Sequence, residues 1–259
     1  MLEGLLPDLP IMLLALITDL HANRHAVSAC LDDAAQYSPD QYVFLGDLVG
    51  YGAEPGWVVD TVMHHVLEWG AIAVRGNHDA AAVMDGPSGM RPDAQTVIDW
   101  TRPRLTPIQR DFLRDLPLTA ELGDCYFAHA NPWQPENWEY VLTGGDAIHA
   151  LASVPHKVIF CGHVHDPALY NLSSVGKLGH YLPVPGQGIP LAGPRRWLVI
   201  PGSCGQPRDG NTAAAYALFD TDTLTLTYRR VPYDVAGAVA AMRAAGLPEV
   251  LASRLERAG

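Results

Sequence analysis

Leu13-Leu14-Ala15-Leu16-Ile17-Thr18-Asp19-Leu20-His21 opens the stretch that decides the fold. An apolar run that halts at Asp-x-His reads as a strand over Leu13–Thr18, buried on both faces, with polar residues at its carboxyl end. The same pattern returns twice before residue 80. Tyr42–Leu45 runs into Gly46-Asp47, and Ala71–Val74 runs into Gly76-Asn77-His78-Asp79. Between these strands, His25–Ala35 and Pro55–Glu68 have helical periodicity, with Asn23 placed to cap the first. Strand–helix alternation of this kind predicts βαβ units and parallel strands.

Outward from that stretch, residues 80–117 hold two short helical patterns, Asp93–Trp100 and Pro107–Leu113, among Pro and Gly. They read as a helical insert or lid within a single domain spanning 1–259. Strands return at Cys125–Ala128, which leads into His129, and at Lys157–Phe160, which leads into Gly162-His163-Val164-His165. Val175–Pro194 is too rich in Pro and Gly to show a period. Trp197–Ile200, Ala213–Phe219 and Leu224–Arg230 read as strands, the last two joined by a turn at Asp220–Thr223. Residues 232–259 read as C-terminal helices, with Val235, Val239 and Met242 on one face and Pro248 opening the last. A first half of βαβ units and a second half ending in hairpins predict an α/β fold, a four-layer αββα sandwich of two mixed β-sheets flanked by helices.

Composition narrows the function classes. The 259 residues include 17 Lys and Arg against 28 Asp and Glu, a formal charge of −11, with no dense basic run. Bulk nucleic-acid binding, which requires many phosphates to be neutralised, is disfavoured. Cys30, Cys125, Cys161 and Cys204 make no C-x-x-C pair, so they read as reduced, buried thiols in a cytoplasmic protein. Ile11–Ile17 is too short to span a membrane, and Glu3 and Asp8 before it argue against a secretory leader. Met12 also reads as a possible start, with residues 1–11 an upstream extension.

Five short motifs therefore stand at strand ends: Asp19-x-His21, Gly46-Asp47, Gly76-Asn77-His78-Asp79, His129, and Gly162-His163-x-His165. Each histidine taken alone reads as a hydrogen-bonded structural residue, Asn77 as a turn residue, and Asp79 as a cap for the helix that follows. Chance separates the readings, since a Gly-Asn-His-Asp match is expected only about 0.002 times in such a chain. In extended backbone, residues i and i+2 share a side, so Asp19 with His21, and His163 with His165, are expected to face one point. Gly46, Gly76 and Gly162 allow tight turns and close backbone approach. Imidazole, carboxylate and amide oxygen without thiolate suit Mn, Fe, Zn, Ni or Co, and the donors are too many for one ion. The remaining histidines, His25, His64, His65, His149, His156 and His180, read as surface or packing residues. Trp133 and Tyr51 read as packing aromatics.

The chain resembles the calcineurin-like metallophosphoesterases, most closely their small single-domain bacterial and archaeal branch. Besides the five motifs, the marks are Gly46-Asp47-Leu48-Val49-Gly50-Tyr51-Gly52, Ala128-His129-Ala130-Asn131-Pro132 and Pro201-Gly202-Ser203-Cys204-Gly205-Gln206-Pro207-Arg208-Asp209-Gly210. The resemblance implies two divalent metal ions, one held by Asp19, His21, Asp47 and His165, the other by Asp47, Asn77, His129 and His163. His78 would be a catalytic non-ligand that protonates the leaving oxygen, with Asp79 holding its tautomer. Two divalent ions, two carboxylates and a bridging hydroxide leave about +1 in the cleft, which draws phosphate to an acidic protein. The activity implied is attack of that hydroxide on a small-molecule phosphodiester or nucleotide. Phosphoprotein phosphatase and dinucleoside polyphosphate hydrolase are the alternative enzymes, and a non-catalytic scaffold is the alternative of a different class. Against the protein phosphatases, Val49-Gly50-Tyr51-Gly52 lacks their phosphate-gripping arginine. Ala22 stands where many relatives have glycine. Arg208 reads either as a substrate-phosphate clamp or as a structural ion pair.

Overall fold

The computed structural model describes residues 12–259. Residues 1–11, the proposed upstream extension, lie outside the described residues. In the first sheet, β1 (Leu13–Ile17), β2 (Gln41–Phe44) and β3 (Ile72–Ala73) run parallel, as the βαβ pattern predicts. β11 (Ala214–Asp220), β12 (Thr225–Val231) and β9 (Gly188–Pro190) continue it antiparallel, in the order β3-β2-β1-β11-β12-β9. The second sheet has the order β4-β5-β6-β10-β7-β8, made from Thr119–Leu122, Cys125–Ala128, Val158–Phe160, Arg195–Ile200, Ala168–Ser173 and Leu178–Tyr181. Its three middle strands β5, β6 and β10 are parallel and its outer pairings antiparallel.

The layers follow from alternation within strands whose two faces are both buried. Leu14 and Leu16 of β1 meet Phe127, Phe160 and Val199 of the second sheet, while Ala15 and Ile17 face the other way. There they pack under α1 (Arg24–Ala35) and α2 (Pro55–Trp69), through Val27, Cys30, Val58 and Val62. Likewise Phe127 and Phe160 point between the sheets, and Tyr126 and Ile159 point out to α6 (Gly144–Ser153), which covers them with Ala147, Ala150 and Leu151. Each fully buried Leu, Ile or Phe contributes about 1.5–3 kcal/mol before chain entropy is subtracted. The result is the expected four-layer sandwich of two mixed sheets flanked by helices.

The segment read as an insert or lid, residues 80–117, continues α3 (Asn77–Val83), which starts within the third motif, and forms α4 (Pro92–Thr101) and α5 (Pro107–Asp115). It sends Ala81, Ile98, Leu105 and Leu113 into the core beneath α1 and α2. The tail forms α7 (Val235–Ala244) and α8 (Glu249–Arg257), whose Val239, Met242, Leu251 and Leu255 close on Val97, with Tyr51 and Ala53 packed alongside. Asn23 caps α1 as expected, its Oδ1 accepting the Ala26 amide at 3.1 Å. In the stretch without a sequence period, Gly179 of β8 lies opposite Asn171 of β7, and a Cβ there would stand 2.9 Å from the Asn171 amide nitrogen. Among the described residues, no helix is long and apolar enough to cross a membrane.

Candidate metal centre

All five motifs arrive at one place because the strands they follow, β1, β2, β3, β5 and β6, present their carboxyl ends to the same rim of the sandwich, where ligands gather in open α/β sheets. The loops after β1 and β2 are laced together by backbone bonds from the Asp19, His21 and Ala22 amides to the Gly46, Asp47 and Leu48 carbonyls. The backbone there is not extended. Asp19, His21, Asp47, His163 and His165 all have φ between 48 and 73°. The i, i+2 reasoning therefore needs correcting. Asp19 and His21 do converge, but His163 and His165 turn to different clusters because left-handed residues redirect each side chain. Ala22 shares this conformation at φ +50°, which is why glycine suits that position.

Among the described residues, three mutually close groups form: Asp19 with His21 and His165, Asp47 with His129 and His163, and His21 with Asp47 and His78. Asp47 Oδ2 lies 3.4 Å from His129 Nε2, 3.7 Å from His21 Nε2 and 3.9 Å from His78 Nε2, so one carboxylate oxygen faces both histidine pairs. His165 Nε2 is 3.3 Å from Asp19 Oδ1, and Asn77 Oδ1 is 3.2 Å from His129 Nε2. A Cβ at Gly76 would fall on the Asp47 carboxylate, so this approach requires glycine there.

The donor chemistry fits divalent metal. His21, His129 and His165 each turn Nδ1 to a backbone carbonyl, of Val49 at 3.2 Å, Leu45 at 2.7 Å and Gln206 at 2.6 Å. A carbonyl only accepts, so Nδ1 carries the hydrogen and Nε2 offers its lone pair, the arrangement of metal-ligating histidines. Those lone pairs face other nitrogens: His21 Nε2 and His165 Nε2 are 3.1 Å apart, and so are His129 Nε2 and His163 Nδ1. Two ligands at about 2.1 Å from one ion, roughly 90–110° apart, stand about 3.0–3.4 Å from each other.

The electrostatics agree. Burial alone would raise the Asp19 and Asp47 carboxyls, but the facing imidazoles of His165 and His129 hold both well below the usual range. Burial lowers His163 to about 3 and His78 to about 4. Burial would also lower His129, yet the Asp47 carboxylate lifts it to about 9, a proton standing where a cation fits.

Asp79 takes a different place from the one the resemblance implies, and one of the two readings of Arg208 falls away. Asp79 does not touch the His78 ring. Its carboxylate accepts the backbone N–H groups of Gly76 at 2.9 Å, Leu48 at 2.8 Å and Val49 at 3.2 Å, capping α3 and tying it to the β2 loop. His78 Nδ1 is buried with no hydrogen-bond partner. Arg208 has no carboxylate within ion-pair distance among the described residues. Its Nη2 donates to Gln206 Oε1 at 3.0 Å and reaches Tyr51 Oη at 3.5 Å, while Asp209 pairs with Arg230 instead. Trp133 stacks on His149 at 4.3 Å, in keeping with packing, and Tyr51 sits between His21 and His78. Sequence reasoning missed Trp138 and Tyr140. Tyr140 lies 3.9 Å from His163, centroid to centroid, but no motif marks either residue.

Comparison with known proteins agrees with this geometry. Residues 12–224 match the model of the calcineurin-like phosphoesterase superfamily domain. The chain is 32% identical over 248 residues to the uncharacterized protein MJ0912 of Methanocaldococcus jannaschii, covering 94% of this chain and 97% of that one. Among solved structures it is similar to a metallophosphoesterase from Sphaerobacter thermophilus, with a TM-score of 0.83 and 33% identity over 96% of this chain and 100% of that one. It shares its fold with the hypothetical protein PH1004 of Pyrococcus horikoshii OT3, with a TM-score of 0.77 and 20% identity over 95% and 98% of the two chains. With the family's domain matched from β1 to the β11–β12 turn, and imidazoles and carboxylates gathered where its strands end, the chain belongs to the calcineurin-like phosphoesterase superfamily and is a metal-dependent phosphoric ester hydrolase.

Proposed function

We propose that this enzyme binds two divalent ions and hydrolyses a small-molecule phosphodiester or nucleotide by direct attack of water, without a phosphoenzyme. Asp19, His21, Asp47 and His165 would hold one ion, and Asp47, Asn77, His129 and His163 the other. The observation that carries the reading is the double imidazole arrangement, two nitrogen pairs 3.1 Å apart with Asp47 Oδ2 facing both. When bound, Mn, Fe, Zn, Ni or Co ions supply Lewis acidity and a water nucleophile ionised near neutral pH. The chain's own residues do the rest. The carbonyls of Val49, Leu45 and Gln206 fix the tautomers of His21, His129 and His165. Asp79, through the Gly76, Leu48 and Val49 amides, keeps the β2 loop and the start of α3 in register. His78, whose Nε2 faces the centre, delivers a proton to the leaving oxygen once the anionic phosphate beside it has raised the ring from the value burial gives it. Arg208, free of any carboxylate partner among the described residues, orients the phosphate oxygens.

The test is reconstitution of metal-stripped protein with Mn²⁺, Ni²⁺, Mg²⁺ or Zn²⁺. Each form is assayed against phosphomonoesters, cyclic nucleotides, dinucleoside polyphosphates and phosphopeptides. The reading expects two metal equivalents and turnover of a small diester or nucleotide. One equivalent, or turnover confined to phosphopeptides, overturns it. No turnover with any metal leaves the scaffold.

A further inference from the structure

Beside the candidate ligands a cleft of about 400 Å³ opens where the start of α3, residues 84–91 and residues 138–140 meet. Outside the histidines its lining mixes apolar and aromatic side chains with the polar Asn77 and Ser88 and the charged Arg91. Met84 and Met90 line it together with Ala80 and Ala81, and Trp138 and Tyr140 supply aromatic surface. Tyr140 rests on the His163 ring with 20° between planes, and Trp138 stands edge-on to His129 at 6.1 Å. The aromatic surface therefore begins at the candidate ligands themselves. Tyr140 is 46% exposed and Met84 43%, so this apolar surface faces solvent next to a polar centre.

The backbone points the same way. Trp138 has φ +55° and ψ 32°, a left-handed conformation that bulky residues rarely adopt. Such residues persist where the surroundings over-determine them, and they cluster at ligand clamps. Charge then narrows the occupant. Among the described residues that line it, Arg91 is the only one with a charged side chain, and it is 83% exposed beside Asp93. A polyphosphate tail or an acidic peptide would find no row of cations here. A flat, uncharged, polarizable ring finds aromatic faces to stack on and thioethers that adapt to it.

We infer that this cleft is a nucleobase subsite, in which Trp138 and Tyr140, with Met84 and Met90, take the base of a nucleotide whose phosphate lies at the metal centre. The inference rests on the proposed function and names its substrate class. Base–aromatic stacking changes affinity by about 5- to 150-fold per base.

The test compares adenosine 5′-monophosphate with ribose 5-phosphate, which carry the same phosphate on the same sugar oxygen and differ in the base. Each is used as a competitor of bis(p-nitrophenyl) phosphate hydrolysis by the Mn²⁺-reconstituted enzyme. The expected Ki for the adenosine ester is at least fivefold lower. Trp138→Ala brings the ratio to within about threefold, and Trp138→Phe, which keeps a stacking face, restores most of it. A wild-type ratio near one overturns the subsite, and so does a Trp138→Ala ratio equal to wild type. If the reporter is not hydrolysed, the hydrolytic reading fails by itself. The same ratio, read as dissociation constants by equilibrium dialysis on the Mn²⁺-loaded protein, still decides the subsite.

Discussion

Replacing Gly50 by alanine tests the role of His78 without touching a candidate ligand. Gly50 has φ +89°, and a Cβ there would fall on His78 Nδ1, 2.8 Å from Cγ and 3.1 Å from Cε1. Non-bonded carbons settle at about 3.5–4.0 Å, so the ring has to move by roughly 1 Å. A misplacement of that size costs about 10²-fold in rate when the displaced group takes part in the reaction. The left-handed backbone adds about 1–2 kcal/mol of strain for alanine, which lowers Tm by about 2–8 °C in a chain of this size and leaves the protein folded. The assay is kcat on an alkyl phosphate ester at saturating Mn²⁺, with metal content read by elemental analysis. Gly50→Ala should keep both metal equivalents and lose about 10²-fold in kcat. The Gly50→Ala/His78→Ala double variant should be no slower than His78→Ala within about threefold, because both changes act through one ring. Full activity in Gly50→Ala would refute the reasoning, as would losses that multiply in the double variant. Loss of metal would make His78 a ligand.

His78→Ala itself should retain metal and lose about 10²–10⁴-fold in kcat on an ester with a poor leaving group. The loss should shrink on a p-nitrophenyl ester, and equal damage to both substrates would replace proton donation with positioning. Asp47→Ala should strip most of both metals, since Asp47 Oδ2 faces both histidine pairs; two equivalents retained on elemental analysis would defeat the sharing. His163→Ala should weaken one site preferentially, and equal loss from both would count against the partition. Asp33 of α1 accepts from Tyr216 at 2.6 Å and from Arg229 at 2.9 Å, and although burial alone would raise its carboxyl, these partners hold it below 3.8. A depressed folded-state value stabilises above the unfolded value and is lost as pH falls through the folded one. Asp33→Asn should therefore cost about 1–3 kcal/mol in urea titrations at pH 7, with the gap closing below about pH 3.8; a pH-independent gap would deny the ionic contribution.

The local code carried much of this molecule. Apolar runs ending in Asp, His or Gly-Asp located the parallel strands, because a strand buried on both faces shows itself as unbroken hydrophobicity. The five motifs converge at one rim because every one of them follows a strand of the parallel sets. That consequence of topology needs no side-chain detail. Other features had no local signal. β7 contains Asn171, a poor strand former, and pairs there with Gly179, so its stability comes from the partners on either side. α6 begins with a capping box between Thr143 and Asp146, yet this helix is missing from the elements read in the sequence, and its apolar face has meaning only against β5, β6 and β10.

Chemistry divides along the same line. Residue type and order marked five donor motifs at strand ends, rare by chance, and the family resemblance nominated Asp19, His21, Asp47, Asn77, His129, His163 and His165 from them. Spacing alone put His163 and His165 at one point, and tertiary structure decided otherwise. Left-handed backbone at the strand ends sends His163 and His165 to separate clusters, against the alternation that spacing alone implies. Asp79 neighbours His78 in sequence, yet three amides from two loops claim its carboxylate. Trp138 and Tyr140 reach the centre from a loop with no motif, through ring contacts to His129 and His163. Sequence records what each residue offers; the direction of each lone pair depends on backbone torsions and contacts spread along the whole chain, and these exist only once it has folded.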